Sequence, residues 1–148
     1  MALTKKRIVV TGMGMVSPLG CGVGTAWTHL LQGRSGLVLL DEALADGIPC
    51  KVGGLVPAPA PDRPWGFDAG LVAEARDLKK MDRFSLFALA AAGEALAQAG
   101  WRPETDEARE RTATIVASAV GGFGTITEAV RTLDARGPKR LSPFTVLS

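Results

Sequence analysis

The sequence predicts an α/β fold of layered helices and sheet. Short β-branched runs occur at residues 7–11 and 112–117, stretches with helical spacing lie between and after them, and glycine stands at most of the junctions. Composition agrees. The 148 residues are 47% hydrophobic with only 5% aromatic, so Ala, Gly, Leu and Val supply most of the interior. A mean hydropathy of +0.18 belongs to a packed chain, not a disordered one. The length is enough for one domain, residues 1–148.

The elements follow in order. Ile8, Val9 and Val10 form a continuous apolar run that predicts a fully buried strand over residues 7–11, stopped by Gly12. A glycine-rich path follows. Val23, Ala26, Trp27, Leu30 and Leu31 then recur at helical spacing, and Gly33 stops the helix. Pro57, Pro59, Pro61 and Pro64 exclude a helix or central strand, so residues 53–66 read as an exposed extended loop. Phe84, Phe87, Ala88, Ala91 and Ala95 share one face of a long helix over residues 81–99, ended by Gly100. Residues 112–117 read as a second buried strand. Phe123, Ile126, Val130 and Leu133 mark a last helix ending near Gly137. The tail from Leu141 to Ser148 shows no further element.

Several function classes are disfavoured. A net charge of +2 lacks the concentrated basic excess of a nucleic-acid reader. No signal-peptide pattern opens the chain, and no apolar stretch approaches the roughly 20 residues that span a bilayer. A cytoplasmic protein is therefore expected. Cys21 and Cys50 have no metal-like spacing. The run Gly12-Met13-Gly14-Met15-Val16-Ser17 suggests a dinucleotide turn, but Ser17 stands where the third glycine belongs and Pro18 blocks the helix that should open there. The alternative is a tight backbone path that requires small residues. His29 is expected on the helix surface, opposite the Val23/Leu30 stripe.

Four blocks carry a family resemblance. They are Ile8-Val9-Val10-Thr11-Gly12-Met13-Gly14-Met15-Val16-Ser17-Pro18-Leu19-Gly20, then Lys80-Met81-Asp82-Arg83-Phe84, then Ser118-Ala119-Val120-Gly121-Gly122-Phe123-Gly124, then Gly137-Pro138-Lys139-Arg140-Leu141-Ser142-Pro143-Phe144. In this order the chain resembles the β-ketoacyl-acyl-carrier-protein synthases of the elongating type. Polyketide ketosynthases and their non-catalytic chain-length factors share the blocks. The resemblance implies the N-terminal half of a thiolase-like layered α/β/α fold in a homodimer. It implies an acyltransferase of fatty acid synthesis that condenses an acyl thioester with malonyl-carrier protein through a cysteine thiolate.

The family's nucleophilic cysteine, its two histidines and its lysine lie beyond the Ser142-Pro143-Phe144 block, so no catalytic residue is expected in this chain. Neither Cys21 nor Cys50 is a candidate nucleophile. The resemblance instead implies binding residues. Val120 lines an acyl pocket, with Gly121, Gly122 and Phe123 forming the adjoining turn and Thr145 reaching toward a partner subunit's pocket. Arg76, Lys79 and Lys80 match one docking patch for an acidic acyl carrier protein, and Lys139 and Arg140 a second. No metal or resident cofactor is implied, since phosphopantetheine arrives on the carrier. The bland alternatives are a core valine at a strand–helix junction and solvated surface cations. A small self-sufficient α/β binding module is the remaining rival.

Overall fold

The computed structural model describes residues 7–143 and residue 145. Phe144 in the fourth block, the segment 146–148 of the tail and the N-terminal residues 1–6 lie outside the described residues. Helices dominate. In chain order the elements are β1 (Val16–Ser17), β2 (Gly20–Cys21), α1 (Val23–Leu31), β3 (Leu37–Leu39), α2 (Glu42–Ala45), β4 (Val52–Gly54), α3 (Ala75–Leu78), α4 (Arg83–Ala99), α5 (Asp106–Glu110) and α6 (Phe123–Arg136). Two small antiparallel sheets accompany them. β1 pairs with β2 in the register Val16↔Cys21, and β3 with β4 in the register Leu37↔Gly54.

The three long helices stand where the apolar spacing places them. Gly100 closes α4 in the left-handed conformation, with φ 61° and ψ 22°. Gly137 closes α6. The two expected buried strands are a correction. Residues 7–11 and 112–117 join neither sheet among the described residues, and Ile8 and Ile115 are 97% and 90% exposed. A β-branched run specifies a chain ready to pair, but it does not supply the neighbouring strand that would bury it. The proline loop begins later than expected, because Gly53 and Gly54 belong to β4.

Helix α4 is the organising element. A Cβ at Gly12 would stand 2.0 Å from the Ala95 carbonyl oxygen, and one at Gly14 would stand 1.8 Å from that of Ala91. The glycine path therefore lies directly on the alanine face of α4, and small residues on both sides permit this approach. At the start of α4, Phe87 meets Phe67 edge to face at 4.8 Å, and the Arg83 guanidinium lies over the Phe87 ring. Arg83 also donates to the Val56 carbonyl at 2.7 Å, which fixes the proline loop to the helix.

The core is small. Ala26, Ala45, Phe67 and Leu86 are its buried apolar side chains among the described residues. The chain exposes 12058 Å². A compact monomer of 15.4 kDa would expose about 7,200 Å² by the usual scaling. The excess is several times the roughly 800 Å² per partner of an ordinary protein interface. The 148-residue chain by itself is therefore expected to bind a hydrophobic dye and to self-associate. Sedimentation over a concentration series checks this. A single monomeric species with a sharp thermal transition and no dye binding would contradict it.

Candidate functional site

Two constellations arise from α4, one at each end. At its C-terminal half, Glu94 and Gln98 stand one turn apart. Glu94 accepts the Met15 amide at Oε2 (2.9 Å) and the Val23 amide at Oε1 (2.8 Å). Gln98 Oε1 accepts the Met13 amide at 2.6 Å. Val23 is the first residue of α1, so the carboxylate also faces the positive end of that helix. These two side chains bind the glycine path by its backbone. Cys21 lies within it, half-buried. Burial and then the Glu94 carboxylate push its thiol above the ordinary value, which disfavours the thiolate a nucleophile needs. Cys50 is exposed, and its thiol donates to the Val52 carbonyl at 3.2 Å.

His29 is a second correction. It is 8% exposed, not on the surface. Its Nδ1 donates to the Leu19 carbonyl at 2.6 Å, and Nε2 accepts from Arg34 Nη1 at 3.2 Å. The ring meets Trp65 edge-on at 4.8 Å. Helix α1 buries its Ala26/His29 side, while Trp27, Leu30 and Leu31 are exposed. The Leu19 carbonyl and the Trp65 ring lie on the histidine side, and the paired imidazole is satisfied there at no cost in lost hydrogen bonds. The apolar stripe instead lines an open groove of about 430 Å³ with Pro18, Leu19 and Leu37.

The second constellation joins the N-terminal end of α4 to α6. A cavity of about 390 Å³ is lined by Asp82, Thr125, Glu128, Thr132, Arg140, Ser142 and Thr145 among others. The second and fourth sequence blocks thus meet at one cavity. Asp82 Oδ1 accepts from the Thr125 hydroxyl at 2.6 Å. Its Oδ2 is buried without a hydrogen-bond partner. The third block reaches the same helix end, since a Cβ at Gly121 would stand 2.4 Å from Phe84 Cζ. Gly122 caps α6 with φ 68° and ψ 18°, a conformation that side chains other than glycine rarely adopt.

The structure brings together some of the site residues expected from the sequence. Arg140 and Thr145 line the Asp82 cavity. Val120 and Phe123 flank the glycine pair and are 69% and 70% exposed. Arg76 lies on α3 with Lys79 and Lys80 directly after it. Arg76 and Lys80 are not free cations. Lys80 Nζ is 2.8 Å from Asp77, and Arg76 Nε is 3.4 Å from it. The Lys80 hydrogen bond holds the Asp77 carboxyl below its ordinary value. Lys139 is exposed beside Arg140. Sequence reasoning missed Glu94, Gln98 and Asp82. The available signal was Glu94 and Gln98 at a spacing of four in an alanine-rich helix, which places both on one stripe.

Among the described residues no group of three or more His, Cys, Asp or Glu side chains could hold a metal, and no helix is long and apolar enough to cross a membrane. The sequence matches the family described as "Beta-ketoacyl synthase, N-terminal domain" over residues 5–147. It is 40% identical to a 3-oxoacyl-[acyl-carrier-protein] synthase 2 of Rhizobium meliloti, over 94% of this chain and 33% of that protein. It is 35% identical to a protein of the same name from Vibrio harveyi, over 99% of this chain and 33% of that one. It is also 35% identical to the tetracenomycin polyketide synthase ketoacyl synthase beta subunit of Streptomyces glaucescens, over 93% of this chain and 31% of that subunit. The chain spans about a third of the length of these relatives.

Proposed function

We propose, from the premise that this chain belongs to the β-ketoacyl synthase family by its N-terminal domain, that the whole protein is a 3-oxoacyl-[acyl-carrier-protein] synthase of fatty acid synthesis. It acts in the cytoplasm as a homodimer with the thiolase-like layered fold. The 148 residues form its docking and acyl-binding wall. The reactive thiol comes from polypeptide outside them, since burial and the Glu94 carboxylate raise the Cys21 thiol and the Cys50 thiol is engaged with the Val52 carbonyl. The observation that carries this reading is the likeness to the two synthases along almost the whole chain. The polyketide relative keeps a second reading in view, a non-catalytic subunit of a polyketide synthase.

The chemistry assigned to these residues is recognition. An acidic carrier protein with a phosphopantetheine arm is steered by exposed cations. Arg76, Lys79 and Lys80 lie just before α4, while Arg140 borders the cavity that Asp82 lines at its N-terminal end. Val120, on the turn that opens α6, gates the acyl chain. A mobile acyl tail gains about 0.8 kcal/mol for each methylene buried, so a single branched side chain on that path changes chain preference.

Two experiments on the whole protein test this. Condensation of an acyl thioester with malonyl-carrier protein should proceed. Its absence in a correctly folded whole protein favours the non-catalytic subunit. Carrier binding, followed by fluorescence anisotropy at low and high salt, should weaken at least tenfold in K79E/K80E. It should tighten about two- to fivefold in Asp77→Asn, because Asp77 competes with the carrier for Lys80 and Arg76. Unchanged affinity in both would make these residues solvated charge only.

A further inference from the structure

We propose that Phe84 and Asp82 are positioning residues for the Val120–Gly121–Gly122–Phe123 turn, and that the bulk of side chain 84 sets the length of acyl chain the turn admits. This rests on the reading of Val120 as an acyl gate. It adds a second determinant, on the α4 side of that gate.

The argument starts from how α6 begins. Gly122 is its N-cap and makes no side-chain capping bond. A helix start of that kind has no internal lock, and glycine on both sides of the junction leaves its backbone loose. The lock comes from outside. The Phe84 ring tip occupies the space where a Gly121 side chain would be, with Cζ, Cε2 and Cε1 all within 2.9 Å of an ideal Cβ there. The turn therefore cannot move toward α4 while the ring is present. In the first turn of α6, the Thr125 hydroxyl donates to Asp82 Oδ1 at 2.6 Å. Asp82 is itself the N-cap of α4. Its side chain makes no capping bond to α4 and turns instead to the first turn of α6. Its Oδ2 is buried and has no hydrogen-bond partner.

Both contacts come from the N-terminal end of α4; one acts on Gly121, just before α6, and the other on Thr125 in its first turn. They determine where Gly121 stands, and Val120 is its covalent neighbour. A smaller side chain at 84 leaves room behind the turn. The turn then settles toward α4 and the gate at Val120 opens for longer chains. Pocket changes of a methylene or two alter discrimination by about tenfold or more.

The test uses the whole protein with hexanoyl and hexadecanoyl carrier thioesters. Phe84→Leu should raise the kcat/KM ratio of the long over the short chain about tenfold. Phe84→Met, whose volume matches that of leucine, should raise it by a similar factor. KM for the malonyl thioester should stay unchanged in both. Thr125→Val removes the Asp82 tie and should move the ratio in the same direction by a smaller factor; it decides the matter if Phe84→Leu does not fold. If Val120→Phe shifts the ratio while Phe84→Leu and Thr125→Val do not, the acyl-gate reading stands and this inference is wrong. If none of the three shifts it, the gate reading fails and takes the inference with it.

Discussion

Gly14→Ala should cost at least about 3 kcal/mol of stability, a large share of what a domain of this size possesses. The added methyl would stand 1.8 Å from the Ala91 carbonyl oxygen and 2.7 Å from its carbon. No flexible side-chain end can swing away, because the obstacle is helix backbone. The glycine path must lift off α4, and the amide bonds of Met13 and Met15 to Gln98 and Glu94 break with it. Gly24→Ala is the internal control. Gly24 lies inside α1 with nothing within 4 Å of an added Cβ. That change should stabilise the helix by about 0.5–1 kcal/mol. Urea midpoints at one protein concentration compare the two variants. Equal midpoints would mean that the glycine path does not rest on α4.

Glu94→Leu should also be strongly damaging, at about 2–4 kcal/mol. Two backbone amides donate to this carboxylate, and charge-assisted bonds of that kind contribute about 1.5–3 kcal/mol each. The Met15 bond is exposed, so water recovers part of its share. The Val23 bond is half-buried and begins a helix, so its loss is felt more. Amide hydrogen exchange should show lost protection at Val23 first. Glu94→Gln separates charge from shape. It retains one acceptor and removes the negative field on Cys21. The Cys21 thiol should then fall part of the way toward its ordinary value, because burial, the larger cause, remains. Alkylation of Cys21 near neutral pH should accordingly be faster in Glu94→Gln. An unchanged rate would show that Glu94 does not act on the thiol.

The helices were legible because their signals are local. Spacing of three and four set α1, α4 and α6, and Gly100 and Gly137 marked where two of them stop. The alanine face of α4 was legible too, although only the structure shows that Gly12 and Gly14 occupy it. What could not be read depends on partners far along the chain. His29 pairs with a carbonyl ten residues earlier, and no periodicity encodes a carbonyl. The β3–β4 pairing joins Leu37 to Gly54, an apolar run and a glycine-rich one separated by a short helix, without an alternating pattern in β4. Asp82 and Thr125 lie 43 residues apart and meet through the packing of two helix ends. The cationic residues were found as sequence clusters, but the ion pairs of Asp77 with Lys80 and Arg76 were not.

The contacts of Glu94 and Gln98 bear on the order in which the chain matures during translation. Their partners lie 71 to 85 residues earlier. At roughly 5–20 residues per second a ribosome needs about 4–17 s to extend that distance. Throughout that interval the first glycines and the start of α1 are made without the acceptors that later hold them. The glycine path must wait as open chain for a clamp that has not yet been synthesised.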